Sequence, residues 1–262
     1  MTSEYSFNLA IGQHTLEVKC DNVALYRQFI QFYNGFIIDR CPDFTVEIEV
    51  RTGNEFRIGE VNFDDGSITL TAKGYDGRLD LAKFSGKLSL SNADPFIGAD
   101  YFLRVAAATL AFQRGGLMVH AAGIAREQIA YLFVGKSGIG KTTVARNSPM
   151  GSVLNDDLLF LQPRENGWMV FSAPFYNQTQ VKPIPNQAVL KGIYFLVQDK
   201  RVYLEEINQT SAVAELLANV PVLSGNPQML NEIFSRCNQI IQAVHPYRLH
   251  FLPDDSFWKV IP

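Results

Sequence analysis

Apolar and polar residues alternate over several stretches in the first hundred residues, a period of two that marks strands with one buried face. Thr45–Val50 reads Thr-Val-Glu-Ile-Glu-Val, and Ser67–Ala72 and Lys87–Ser91 repeat the pattern. Asp65-Gly66 and Asp76-Gly77 are turn signals between them. One amphipathic helix interrupts the strands over Val23–Tyr33 and stops at Gly35. Such alternation predicts an antiparallel sheet with one solvated face. At Asp100 the character changes. Asp100 can cap a helix over Tyr101–Arg114, rich in alanine and leucine and stopped by Gly115-Gly116. Leu117–Ala122 and Ile129–Val134 are nearly continuous apolar runs, as expected of strands covered on both faces, with a polar hairpin around Arg126-Glu127-Gln128. Further strands are expected at Gly151–Leu154, Leu158–Gln162, Trp168–Ser172, Gly192–Gln198, Val202–Leu204 and Tyr247–Leu252. Helices are expected near Ser211–Ala218 and Pro227–Val244, and Gln178–Pro185 reads as a polar loop. The pattern divides the chain into a β-rich region over residues 1–99 and an α/β domain over 100–262.

The 262 residues are 47% apolar and 19% charged, a balance that excludes a disordered chain. No uninterrupted apolar run approaches eighteen residues, so no membrane partner is expected. Met1–Phe7 has neither a basic nor an apolar leader region, which with the rest points to a cytoplasmic protein. Cys20, Cys41 and Cys237 are scattered without a C-x-x-C, against a disulfide framework or a cysteine zinc site. The net charge of −3 is uneven: residues 1–100 carry nine Lys/Arg against fifteen Asp/Glu, and the remainder fourteen against eleven. A mildly positive second half can favour a phosphorylated ligand, while the absence of a basic stripe argues against nucleic acid.

The chemistry-bearing signal lies in that half. Gly135-Lys136-Ser137-Gly138-Ile139-Gly140-Lys141-Thr142 matches G-x-x-x-x-G-K-[ST] in full and follows the expected strand Ala130–Val134. Glycines let backbone amides wrap phosphate oxygens, Lys141 supplies charge to the β- and γ-phosphates, and the Thr142 hydroxyl can ligate Mg²⁺. The helix beginning near Lys141 adds its positive dipole end and carries Thr143 next to the loop. That helix is short, because Ser148-Pro149 disfavours its continuation. Asp156 and Asp157 lie twenty-one and twenty-two residues after Gly135, between short apolar strands. One carboxylate there can hold Mg²⁺ and the other can accept a hydroxyl proton during phosphoryl transfer; a plain Asn-Asp-Asp turn is the structural alternative. Neighbouring residues on a strand face opposite ways, so the two acids should not share one role. His120, fifteen residues before Gly135, is either a core histidine or a polar group near the transferring phosphoryl. His14, His245 and His250 read as structural.

Taken together, Leu117–Gly123 with its histidine, the Gly135–Thr142 loop and Leu154-Asn-Asp-Asp-Leu158 resemble the HPr kinase/phosphorylase family and its HPr-kinase-like relatives in order and approximate spacing. The resemblance is best over residues 115–175. It implies the P-loop fold shared with phosphoenolpyruvate carboxykinases, a twisted mixed sheet, here preceded by the β-rich region. It further implies ATP and Mg²⁺ as cofactors, phosphate contacts from residues 135–143, and metal binding by Thr142 and Asp156. Asp156, Asp157, His120 and Lys141 would form the catalytic group. One segment departs from the family: HPr kinases carry a Leu-Glu-x-Arg-Gly-type stretch after the Asp pair, whereas Phe171–Tyr176 holds neither carboxylate nor arginine. That argues against HPr as substrate and against the phosphorylase reaction. The expected activity is therefore ATP/Mg²⁺-dependent transfer of a phosphoryl group to a hydroxyl of a protein, peptide or small-molecule acceptor. The alternative is a nucleotide-binding regulatory or adaptor module with little turnover. A homo-oligomer is compatible with either.

Overall fold

The computed structural model describes residues 5–53, 59–64, 66–91, 94–149, 152–177, 181–221, 223 and 226–262. Residues 1–4, Asp65 of the first turn signal, Gly151 of one expected strand and residues 178–180 of the polar loop lie outside them. The protein is a mixed α/β structure with two large mixed sheets and few helices. Its chain separates into two compact units, Met1–Leu110 and Ala111–Pro262.

The first unit is built on an eight-stranded sheet. Its strands are β1 (Tyr5–Ile11), β2 (His14–Cys20), β3 (Ile37–Ile38), β4 (Phe44–Arg51), β5 (Glu60–Asp64), β6 (Ser67–Ala72), β7 (Tyr75–Asp80) and β8 (Ser85–Ser91), in spatial order β3-β1-β2-β4-β8-β7-β6-β5. Alternation does its expected work in β4, where Phe44, Val46 and Ile48 are buried and Glu47 is exposed. Helix α1 (Val23–Phe32) is capped by Asn22, whose Oδ1 accepts the Leu25 amide at 3.0 Å, and it buries Leu25 and Phe29.

Two sequence expectations need correction here. The sheet is not wholly antiparallel, because β4 runs parallel to both β2 and β8. Helix α1 returns the chain between β2 and β4, and the β5–β7 meander returns it between β4 and β8, and each return restores the strand direction. Asp76-Gly77 is not a turn but the middle of β7. Gly77 is there for close approach, since a Cβ would lie 2.6 Å from the buried Phe102 ring.

Helix α2 (Pro95–Gln113) begins at Pro95 rather than at an Asp100 cap. Proline suits a first helical position, where its missing N–H would have had no partner. Asp100 sits inside the helix instead, accepting from the Tyr33 hydroxyl at 2.7 Å and from Arg104 Nε at 2.8 Å. Those two charges break the apolar run, so a search for uninterrupted runs overlooks a 19-residue helix that is long and apolar enough to cross a membrane. Some 61% of its most apolar window is buried within the structure, as in a core helix. The division between units falls inside α2, at Leu110/Ala111, whereas the sequence places a boundary at 99/100.

The second unit begins with β9 (Leu117–Arg126) and β10 (Ile129–Val134), followed by α3 (Lys141–Arg146), β11 (Val153–Asn155), β12 (Leu158–Arg164) and β13 (Gly167–Ser172). Then come β14 (Gln187–Gln198), β15 (Tyr203–Glu206), α4 (Gln209–Leu217), α5 (Pro227–Ala243), β16 (Pro246–Phe251) and a 3₁₀ turn at Ser256–Lys259. Glu127 and Gln128 both take positive φ, 48° and 70°, which gives the β9–β10 hairpin the backbone twist of a tight two-residue turn. Strand pairing runs β10-β9-β12-β13-β14 and returns to β10, so the sheet closes on itself before extending through β16 to β15. Tyr131, Phe133, Tyr194, Leu249 and Phe251 fill the core between this sheet and α3.

Candidate phosphate-binding site

Three parallel strands, β10, β14 and β16, end at the same edge of the sheet. In sheets of this kind ligands bind beyond the carboxyl ends of the strands. The Gly135–Thr142 loop leaves β10 there. Register brings the other candidates to the same edge. Val134 pairs with Ala121, so His120 lies next to the start of the loop, and His120 pairs with Leu158, the residue after Asp157. The Ala121 amide donates to the Asp157 carbonyl at 3.0 Å.

The loop is held from below as well as by its own glycines. Gly138 and Gly140 have φ of 79° and 120°, and a Cβ on Gly140 would come within 2.6 Å of the Phe251 ring at the end of β16. The Gln198 side chain, at the end of β14, donates Nε2 to the Ile139 carbonyl at 3.1 Å. Lys141 is buried, and its Nζ donates to the carbonyls of Gly135 at 2.8 Å and Lys136 at 3.2 Å. Burial holds its pKa below the ordinary lysine range, opposed by the nearby charges of Asp157 and Asp156. Helix α3 is six residues long, as the Ser148-Pro149 sequence implies, and ends where Asn147 and Ser148 turn their side chains back to the Thr143 and Val144 carbonyls.

The adjacent acids diverge. They occupy a bend between β11 and β12 rather than a strand, and they differ sharply in environment. Asp156 is 1% exposed, and neither of its carboxylate oxygens makes a hydrogen bond of good geometry among the described residues. Burial raises its pKa, partly offset by the Thr142 hydroxyl and the Val181 amide alongside, with the Asp157 charge adding to the rise. Asp157 is more open, and its Oδ1 meets His120 Nε2 at 2.7 Å. A cleft of about 230 Å³ joins His120, Lys141, Asp156 and Asp157 to Ser137, Gly138, Gly140, Thr142 and Thr143. Gly135, Lys136 and Ile139 shape the loop without lining this cleft. Among the described residues no group of three or more His, Cys, Asp and Glu side chains gathers as a metal cage.

Some contributors have no sequence signal of their own. Gln198 and Phe251 reach the loop only because β14 and β16 run parallel to β10. Asn155 underlies the Asp pair with a fully buried amide. The remaining histidines lie elsewhere, each beside an acid: His14 with Asp43, His245 with Glu206, and His250 between Asp199 and Glu205. No protein-family model and no curated protein matches the chain.

Proposed function

We propose that the chain is an ATP- and Mg²⁺-dependent phosphotransferase of the HPr-kinase-like group, transferring the γ-phosphoryl to a hydroxyl of a protein, peptide or small-molecule acceptor. The observation that carries the reading is the divergence of the two acids beside a phosphate-type loop. One is buried beside the Thr142 hydroxyl, with no hydrogen bond of good geometry among the described residues, and the other is more open and paired with His120. The mixed sheet with its loop after β10 supports the carboxykinase-like P-loop fold as part of this proposal, although the helix content is lower than usual for a P-loop kinase. The reading carries a cytoplasmic setting with it.

In this scheme Lys141 exchanges the Gly135 and Lys136 carbonyls for phosphate oxygens, a move of its flexible end that leaves the helix in place. The Asp156 carboxylate and Thr142 hydroxyl fit a magnesium ion, since a buried carboxylate whose hydrogen bonds are poor gains most from a cation. With two protein ligands the ion would keep several waters, as Mg²⁺ prefers. When bound, it neutralises charge on the phosphate oxygens. Asp157 accepts the acceptor's hydroxyl proton as the new oxygen–phosphorus bond forms and the bond to the β-phosphate oxygen breaks, releasing ADP. His120 orients Asp157 and presents a polar edge to the transferring group.

Calorimetry with ATP and Mg²⁺, followed by ADP release with and without pools of hydroxyl acceptors, tests the proposal. ADP formed only with an acceptor supports transfer, and Asp157→Asn should then cut turnover by about 10²–10⁴-fold while sparing nucleotide binding. Tight binding without turnover would favour the regulatory module, a reading for which the buried Phe171–Phe175 stretch, lacking any carboxylate or arginine, is the supporting observation. No binding would overturn both.

A further inference from the structure

Asn155 has no chemistry of its own in that scheme, yet every polar site of its side chain is engaged. It is 0% exposed. Its Nδ2 donates to the Ala173 carbonyl at 3.0 Å and to the Phe175 carbonyl at 2.9 Å. Its Oδ1 accepts the Asp157 amide at 2.7 Å and the Leu158 amide at 3.1 Å. A side-chain amide has two donors and two acceptor sites, and all four are used. The donors tie down the chain that leaves β13, and the acceptors close the bend on which the two acids sit.

We propose that Asn155 is a positioning residue for phosphoryl transfer, holding the bend so that Asp156 is delivered to the phosphate loop and Asp157 to His120. The inference rests on the phosphotransferase reading. Adjacent carboxylates repel each other and would relax to whatever backbone best separates them and exposes them to water. Two hydrogen bonds to the amides of residues 157 and 158 take that freedom away. Neither aspartate nor serine meets the demand in this space. Aspartate could accept both amides but would present lone pairs to the Ala173 and Phe175 carbonyls and add a third negative charge. Serine could accept a local amide but is too short to bridge to the far carbonyls. A misplacement of about 1 Å in a reacting group costs on the order of 10²-fold in rate, so the bend is worth fixing.

The test uses the full chain with Asn155→Ser and Asn155→Asp, beside Asp157→Asn. Three quantities are read: the Kd for ATP with and without Mg²⁺, kcat with an acceptor, and the ¹⁵N signals of the His120 ring. A positioning role predicts a Kd for ATP alone within about 3-fold of wild type, since the phosphate loop is untouched, a smaller gain on adding Mg²⁺, since Asp156 is displaced, and kcat lower by about 10- to 100-fold. The His120 signals should move toward those of Asp157→Asn. Unchanged kcat, or His120 signals identical to wild type in a folded variant, would overturn the proposal. If the wild-type protein transfers to no acceptor, the phosphotransferase reading falls, and the His120 signals still decide whether Asn155 holds the pair. Should neither variant fold, amide exchange in the wild type decides. The Asp157 and Leu158 amides should be as protected as those of Leu159–Leu161 in β12, and free exchange there would sink the idea.

Discussion

Asp156 is where stability and proposed function pull against each other. Its folded-state pKa is raised, so its contribution to stability is complete below the unfolded carboxylate value and is lost as pH rises through the folded one. Above that folded value the ionised side chain is a cost. Asp156→Asn should therefore be more stable to urea than wild type at pH 7, by about 1–3 kcal/mol, the usual scale for relieving a buried, poorly satisfied group. The gain should vanish below about pH 4, where the wild-type carboxyl is neutral as well. The same variant should lose Mg²⁺-dependent tightening of ATP binding. A variant less stable than wild type at pH 7 would mean that the carboxylate is satisfied by a partner. Lys141 presents the mirror case. Burial lowers its pKa, so its contribution is present above the unfolded lysine value and is lost as pH falls through the folded one. Lys141→Met gives up two carbonyl contacts but also the cost of burying an ammonium group. Its unfolding free energy should change by no more than about 1 kcal/mol, while ATP affinity falls at least about 100-fold.

Elements were legible in the sequence where one physical signal dominated. β10 is an apolar run that leads into a complete phosphate motif, and its bounds match those the pattern predicts. β4, β6 and β16 follow their alternation to within a residue or so. The β1–β2 hairpin is absent from the sequence expectations although Phe7, Leu9 and Ile11 on one strand and Leu16, Val18 and Cys20 on the other are buried with the right period. Its Gly12-Gln13 turn lacks the Asn-Gly or Asp-Gly signature, and seven-residue strands carry little signal without one. Parallel pairing in the first sheet was hidden for a different reason, since alternation reports which face is buried and not which neighbour lies alongside. In the site, the loop, the acids and His120 could be read from spacing. Asn155, Gln198 and Phe251 could not, because strand register alone brings them to their partners. Two glycines separate these levels experimentally. Gly77→Ala meets the Phe102 ring inside the first unit and should cost about 1–3 kcal/mol with ATP affinity unchanged. Gly140→Ala meets Phe251 at a φ of 120° and should cost a similar amount together with ATP affinity. Adding Phe251→Leu should recover part of the loss, since it relieves the contact and leaves the backbone strain. Calorimetry and urea unfolding of the three variants test the separation.

At the scale of the whole molecule, each unit has a core of its own, with Leu9, Val18, Phe29 and Val46 in one and Phe133, Tyr194, Leu249 and Phe257 in the other. Every described residue that lines the cleft belongs to the second. The uneven charge divides near the same place, but it matters less than one side chain, because Lys141 is the only lysine or arginine among the described residues that line the cleft. A ligand that binds only the folded site lowers the population of states in which that site is open, by a factor of about 1 + [L]/Kd. Hydrogen exchange with ATP and Mg²⁺ at about a hundred times Kd should then slow the amides of β10, β12 and β14 by up to about 100-fold. Amides of β1, β2 and β4 should keep their rates if the first sheet opens without disturbing the site. Equal slowing in both sheets would mean that the two units unfold as one cooperative block, and a functional account of the first would then have to begin with stability. No slowing anywhere would leave the Gly135–Thr142 loop without its phosphate and remove the basis of the phosphotransferase reading.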